Sequence, residues 1–122
     1  MATRYELAAR STDVFGRVLC SARQHHFVID GPVQNGCPGE ELTPAEVFLA
    51  GVAACSVELI HVFAREDDLP LRSVSAAIEG NLDRDNPVRG DVTVFNRVSL
   101  RIQLAGVDRS QANRLVERFK GR

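Results

Sequence analysis

The side chains best suited to chemistry in this sequence are three cysteines, Cys20, Cys37 and Cys55. Their number is odd and no pair has a C-x-x-C spacing, so they form neither a disulfide framework nor a zinc-finger pattern. Cys55 stands out because it lies in "ELTPAEVFLAGVAACSVELIHVFARED", Glu41 to Asp67, a stretch patterned as one long helix. A thiolate there could attack an electrophilic oxygen or sulfur, provided a cation, a base or a helix N-terminus favours the charged form. The helix start lies about three turns before Cys55, so the terminal dipole helps little. Glu58, one turn on, carries the wrong charge for the task. A stabilising cation must come from another element, and Arg17 and Arg23 on the N-terminal strands are the candidates. The plain alternative is that Cys55 fills core space, since free cysteine is among the most buried residue types.

The other polar residues offer less. His25 and His26 are adjacent, so on a strand they face opposite ways and do not share a metal. His61 lies six residues past Cys55, well over a right angle round the helix, and is no base for that thiol. "DRDNPVRGD", with Asp83, Asp85 and Asp91, lacks the full run of a calcium loop and its closing Glu, and reads as a turn. There is no Walker loop, GxGxxG or GxSxG motif. A hydrolase using Cys or Ser finds no base within reach along the sequence. No cofactor is expected.

The elements that must position these residues follow from patterning. The 122 residues indicate one domain, residues 1–122. Their make-up, 44% hydrophobic and 25% charged, is that of an ordinary soluble protein. A net charge of −1 and the absence of Trp argue against nucleic acid as a partner. The N-terminus shows no secretory signal, and the longest apolar run, Val47 to Cys55, falls short of the ~20 residues a membrane span needs. A reducing cytoplasm is the expected compartment. "RYELAAR", "VFGRVLCSA" and "HHFVID" alternate as three antiparallel strands joined at "STD" and "RQ", and "GPVQNGCPGEEL" is a loop.

Thr43, Pro44 and Glu46 form a capping box with Pro at the first helical position, and the helix they start is expected to run to about Glu66. Its apolar residues, Val47, Phe48, Leu49, Val52, Val57, Leu59, Ile60, Val62 and Phe63 among them, go most of the way round. Such a helix needs cover on nearly all sides, and so short a chain supplies one side only, so a second subunit is expected on the other. "LRSVSAAIEG" and "VTVFNRVSLRIQLAG" alternate as a strand pair. Asp108 and Gln111 cap a last helix with Leu115, Val116 and Phe119 on its apolar face. The order βββ-α-ββ-α gives an α+β domain with helices against antiparallel sheet.

"HHFVIDGP", the Gly-rich loop, "LTPAEVFLAGVAACSVELI" and "LRSVSAAIEGNLD" together resemble the OsmC/Ohr family of osmotically inducible and organic-hydroperoxide-resistance proteins. The specific signal is Pro44 eleven residues before Cys55, the acidic helix start and the small "AAC" centre. The resemblance covers about His25 to Gly121 and sits closest to the OsmC-like branch. It implies an intertwined homodimer whose long central helices pack between the subunits' sheets. It implies a thiol-dependent peroxidase, with Cys55 as the attacking cysteine, organic hydroperoxides or hydrogen peroxide as substrate, and a dithiol reductant, often lipoyl-linked.

Two departures accompany the likeness. The family's second, resolving cysteine lies in a "CP" motif after the last helix, where this sequence reads "RFKGR", so the expectation is a longer natural chain or a different end to the reaction, with Cys37 as the other available thiol. The family's orienting Glu, ten residues before the cysteine, is Ala45 here, with Glu46 one place on. The arginine which that Glu orients falls near Val14, leaving Arg17 as the nominated thiolate stabiliser. The rival reading is a non-catalytic dimer that binds a small apolar ligand between its subunits.

Overall fold

The computed structural model describes residues 2–122, and the elements follow the order βββ-α-ββ-α with one short 3₁₀ turn in the loop before the long helix. β1 (Ala8–Ser11), β2 (Arg17–Ala22) and β3 (His25–Asp30) make a three-stranded antiparallel sheet. α1 spans Pro44–Glu66, β4 (Ser73–Asn81) and β5 (Arg97–Ala105) form an antiparallel pair, and α2 is Arg109–Lys120. The chain divides into two compact units, one up to Phe48 and one from Leu49 to Arg122.

In the first unit the register comes from a two-residue turn, Arg23–Gln24, with Arg23 at φ 56. That turn sets Ala22 opposite His25, Ser21 opposite His26 and Arg17 opposite Asp30. β1 is shorter than "RYELAAR" implied: only its last residues pair with β2, every residue of the strand is exposed, and Tyr5 upstream is exposed too. Among the described residues of this unit, only Cys20 and Asp30 are buried.

The second unit has an apolar centre. Ile60, Phe63 and Ala64 of α1 meet Leu115 of α2, all at most 3% exposed. Val74, Ile102 and Leu104 of the hairpin pack on them, as do Val116 and Phe119. Burying a side chain of the size of Ile60, Phe63 or Leu115 stabilises by roughly 1.5–3 kcal/mol. Alternation along the hairpin holds for Val74, Ala76 and Ile78, and for Leu100, Ile102 and Leu104, which are half-buried while Ser99, Arg101 and Gln103 face out; Val98, patterned for the same face, is exposed near the strand's start. β5 begins at Arg97, later than its alternation suggested. Asn96 still donates its backbone N–H to Asn81 O at 2.8 Å, while its side chain ties the polar turn: its Oδ1 accepts from Asp83 N and its Nδ2 donates to Asn86 O, both at 2.6 Å.

α1 begins as the sequence dictates. Glu46 Oε1 accepts from Thr43 N and Thr43 Oγ1, both at 2.9 Å, and Glu46 N donates back to Thr43 Oγ1. Residues 51, 54, 55, 58, 61 and 65 are exposed and recur at three- and four-residue steps, which makes one open strip along the helix. By length and composition alone α1 is also apolar enough to cross a membrane, which the shorter run Val47 to Cys55 had not suggested. It carries Glu58 and His61 in its middle turns, groups that hydrocarbon accommodates only at a cost.

Candidate functional site

Cys55 is exposed, on the open strip of α1. It does not enter the core of its unit: the helix turns Ser56 inward instead, fully buried, its hydroxyl donating to Ala53 O at 2.6 Å. A thiol so placed is accessible to solutes, the first requirement for nucleophilic or redox chemistry. Gly51, one turn before, has open space where a side chain would stand. Further along the same strip a shallow, open groove of about 610 Å³ is lined by Ala54, Val57, Glu58, His61, Val62 and Arg65. A smaller hollow of about 320 Å³ lies in the polar turn between Leu82 and Val94 and contains no cysteine or histidine. Asp83 there is held below the usual carboxylate range, first by the Asn86 side chain and then by the Asp85 amide, so it closes a turn. Among the described residues no group of three His, Cys, Asp or Glu is placed to hold a metal ion.

Arg17 and Glu46, the other two residues nominated from the sequence, both lie in the first unit and both have partners. Arg17 Nε donates to Asp30 Oδ1 at 2.7 Å, and its Nη2 to Asp30 Oδ2 and Glu40 Oε1, each at 2.9 Å. Asp30 is fully buried and accepts two further hydrogen bonds on Oδ2, from the amides of Glu40 and Glu41 at 2.9 Å. The Arg17 fork holds the Asp30 carboxyl far below the ordinary range, and the two amides add to this against the opposing effect of burial. Asp30 and then Glu40 in turn keep Arg17 firmly protonated. The Glu46 carboxyl is lowered by the Thr43 amide and then by the Thr43 hydroxyl, so its place is in the helix cap. No hydrogen bond or ion pair joins Arg17 to Glu46 among the described residues.

Cys37 is half-buried in the loop after β3. A side chain at either Gly16 or Gly31 would overlap its Sγ. These are the neighbours in sequence of Arg17 and Asp30, and Gly16 has φ 80, where a Cβ is strained in any case. Cys20 is buried on the inner face of β2. All three cysteines are free.

Two features escaped the sequence reading. Asp30 is one: the turn at Arg23–Gln24 places it directly opposite Arg17, and pairing the hairpin from that turn would have revealed the ion pair. The Ser21–His26 pair is the other. The same register sets Ser21 Oγ 2.8 Å from His26 Nδ1, so a serine does have an imidazole within reach. Among the described residues no acid orients that ring, and the pair sits on an exposed strand face, so it lacks the third member and the shelter a hydrolase needs.

Comparison with known proteins agrees with the fold. No curated protein matches the chain. An OsmC-like protein from Mycoplasma pneumoniae is similar over all of this chain and 84% of its own, with a TM-score of 0.84 at 15% identity. An organic hydroperoxide resistance protein OsmC from Legionella pneumophila matches over 99% of this chain and 85% of its own, with a TM-score of 0.72 at 24% identity. An organic hydroperoxide resistance protein from Elizabethkingia anophelis matches over the same shares, with a TM-score of 0.68 at 19% identity. At these identities the likeness establishes the fold. The sequence profile of the OsmC-like protein family itself matches residues 37–122, which include the whole of α1 and Cys55. With more than half of its length matched, this chain belongs to the OsmC-like protein family.

Proposed function

We propose that the protein is a thiol-dependent peroxidase that reduces organic hydroperoxides or hydrogen peroxide through Cys55. The observation that carries this reading is an exposed thiol at the centre of the family's long helix, eleven residues after Pro44. Two of the structures it resembles are named for organic hydroperoxide resistance, which agrees with the same chemistry.

The step balances without a metal. The Cys55 thiolate attacks one oxygen of the O–O bond; an S–O bond forms and the O–O bond breaks. Sulfur is oxidised to the sulfenic acid, the peroxide is reduced, and the departing alkoxide takes a proton to leave as the alcohol. A dithiol then returns Cys55 to the thiol, releasing water and its own disulfide.

In this reading a second copy lies against part of the open helix strip and leaves Cys55 within reach of the peroxide, giving a homodimer in the cytoplasm. Arg17, three residues past the place the resemblance gives the arginine, is the candidate cation for the thiolate, and Glu46, one place past that of the orienting Glu, the candidate acid of the site. Glu46 would have to leave the helix cap to take part. Arg17 would have to give up Glu40, a partner that is mostly exposed and whose pair contributes little in water.

The deciding experiment is turnover of cumene hydroperoxide with a dithiol, in the wild-type chain and in Cys55→Ser. Loss of the activity in the variant is the expected result; equal rates would end the proposal. A second reading is favoured by the same engaged groups: a non-catalytic dimer holding a small apolar ligand between subunits, with Arg17 and Glu46 serving only structure. Alkylation of Cys55 at pH 7 separates the two. A rate well above that of a free cysteine supports the peroxidase, and an ordinary rate supports the binding module.

A further inference from the structure

We infer that the Arg17–Asp30 pair is a latch that holds the loop between β3 and α1 closed over Cys37. The loop, residues 31–43, is tied to the sheet by few groups. Gly31 N donates to Gly16 O at 2.8 Å and Asp30 N to Leu42 O at 3.0 Å. The far end of the loop is gripped by one carboxylate: Asp30 Oδ2 accepts from the Glu40 and Glu41 amides while the same side chain takes the Arg17 fork. Asp30 accepts four hydrogen bonds, one on Oδ1 and three on Oδ2. Between these ties the loop has local turns, Asn35 N and Cys37 N to Pro32 O and Gly36 N to Val33 O, and one longer bond, Gly39 N to Gly31 O at 3.2 Å, while Val33 is exposed. Little apolar burial backs the carboxylate if it lets go, since Cys20 is the sole buried apolar side chain described in this unit.

Cys37 sits beneath that grip. Its sulfur occupies the gap that Gly16 and Gly31 leave, each one residue from a partner of the latch. Arg17 matters because an unpaired carboxylate at zero exposure is costly, so losing the fork loosens Asp30 and with it both amide bonds. Glu40 enters through its backbone; its side chain lies 74% exposed on the outer edge of Arg17. The device therefore couples a residue on β2 to the loop that leads directly into the helix cap at Thr43. It does not depend on the reaction proposed for Cys55.

The test uses the full chain carrying Cys55→Ser, so that Cys37 is the reachable thiol and Cys20 remains buried. Alkylation of Cys37 by N-ethylmaleimide is followed by peptide mass, alongside amide hydrogen exchange at Glu40 and Glu41. In Asp30→Asn, where an amide faces donors it cannot satisfy, Cys37 should react about tenfold faster or more and the two amides should lose protection, while Ile60 and Phe63 keep theirs. Arg17→Lys, which keeps the charge but not the fork, should give a smaller rise in the same direction. Glu40→Gln should change the rate less than about twofold, as its exposed pair adds little. An unchanged Cys37 rate in Asp30→Asn and Arg17→Lys overturns the latch. So does a rise accompanied by equal loss of protection at Ile60 and Phe63, which would make Asp30 a residue of general stability, or a Glu40→Gln effect as large as that of Asp30→Asn.

Discussion

The two compact units are held by different forces. From Leu49 onward, cohesion is apolar: Ile60, Phe63, Ala64 and Leu115 close a buried centre and the hairpin packs on it. Before that point it is polar: a buried aspartate gathers a guanidinium and two amides, and the outer strands of the sheet that carries it are largely exposed. Apolar cohesion is indifferent to pH and tolerant of geometry, because it scales with area. A buried carboxylate is neither. The contrast predicts that the first unit responds to acid and to single-atom changes, and the second to changes of volume.

Truncating the apolar centre should have the largest effect. Phe63→Ala removes a fully buried ring and is expected to cost about 3–5 kcal/mol, read from chemical denaturation. The ring also carries Arg118 4.1 Å from its centroid, a contact worth roughly 0.5–1 kcal/mol because the arginine side chain itself is exposed. If the Cys37 alkylation rate rises as steeply as protection at Ile60 falls, the two units unfold as one and the contrast fails.

Acid should separate them next. Because the folded Asp30 carboxyl titrates below its unfolded value, its contribution is fully present above about pH 4, the ordinary aspartate range, and fades as pH falls through the folded value. Protection at Glu40 and Glu41 should therefore drop on acidification before that at Ile60 and Phe63. Asp30→Asn should abolish the difference. Simultaneous loss of protection in the wild type would count against the contrast.

Two smaller effects test the second unit's polar edges. Asp108 caps α2, accepting from Gln111 N at 2.8 Å while Gln111 Oε1 accepts from Asp108 N. Asp108→Ala should cost ~1 kcal/mol of stability in a thermal melt. Arg114→Ala breaks an ion pair with Asp67 at 3.6 Å between partly exposed groups and should cost less than ~0.5 kcal/mol. A larger loss from Arg114 than from Asp108 would show that charge does more in this unit than its packing suggests.

What could be read in advance follows the same division. Thr43, Pro44 and Glu46 mark the helix start because a capping box is a local hydrogen-bond pattern, and the folded chain closes it as read. The hairpin of β4 and β5 was legible because one face is buried and alternation records that face. Residues 92–96 misled because their alternation continues past the point where the ladder ends, where the Asn96 side chain ties Asp83 and Asn86 in a turn that no period encodes. Cys55 could be singled out from the Pro44 spacing, but not its exposure, since an all-round apolar helix does not say which strip a single chain leaves open. Asp30 was missed for a simpler reason: it follows from register, and the register was available in the two-residue turn.

The chain has no Trp, and its one tyrosine, Tyr5, stands in solvent. Near-ultraviolet absorbance and intrinsic fluorescence are accordingly almost blind to its tertiary order, and a protein with its packing melted would glow much as the intact one does. A tryptophan introduced at Phe119 would light the apolar half alone, and one at Phe27 the polar half. With one dye-free lamp in each, the order in which the halves come apart becomes visible in a single titration.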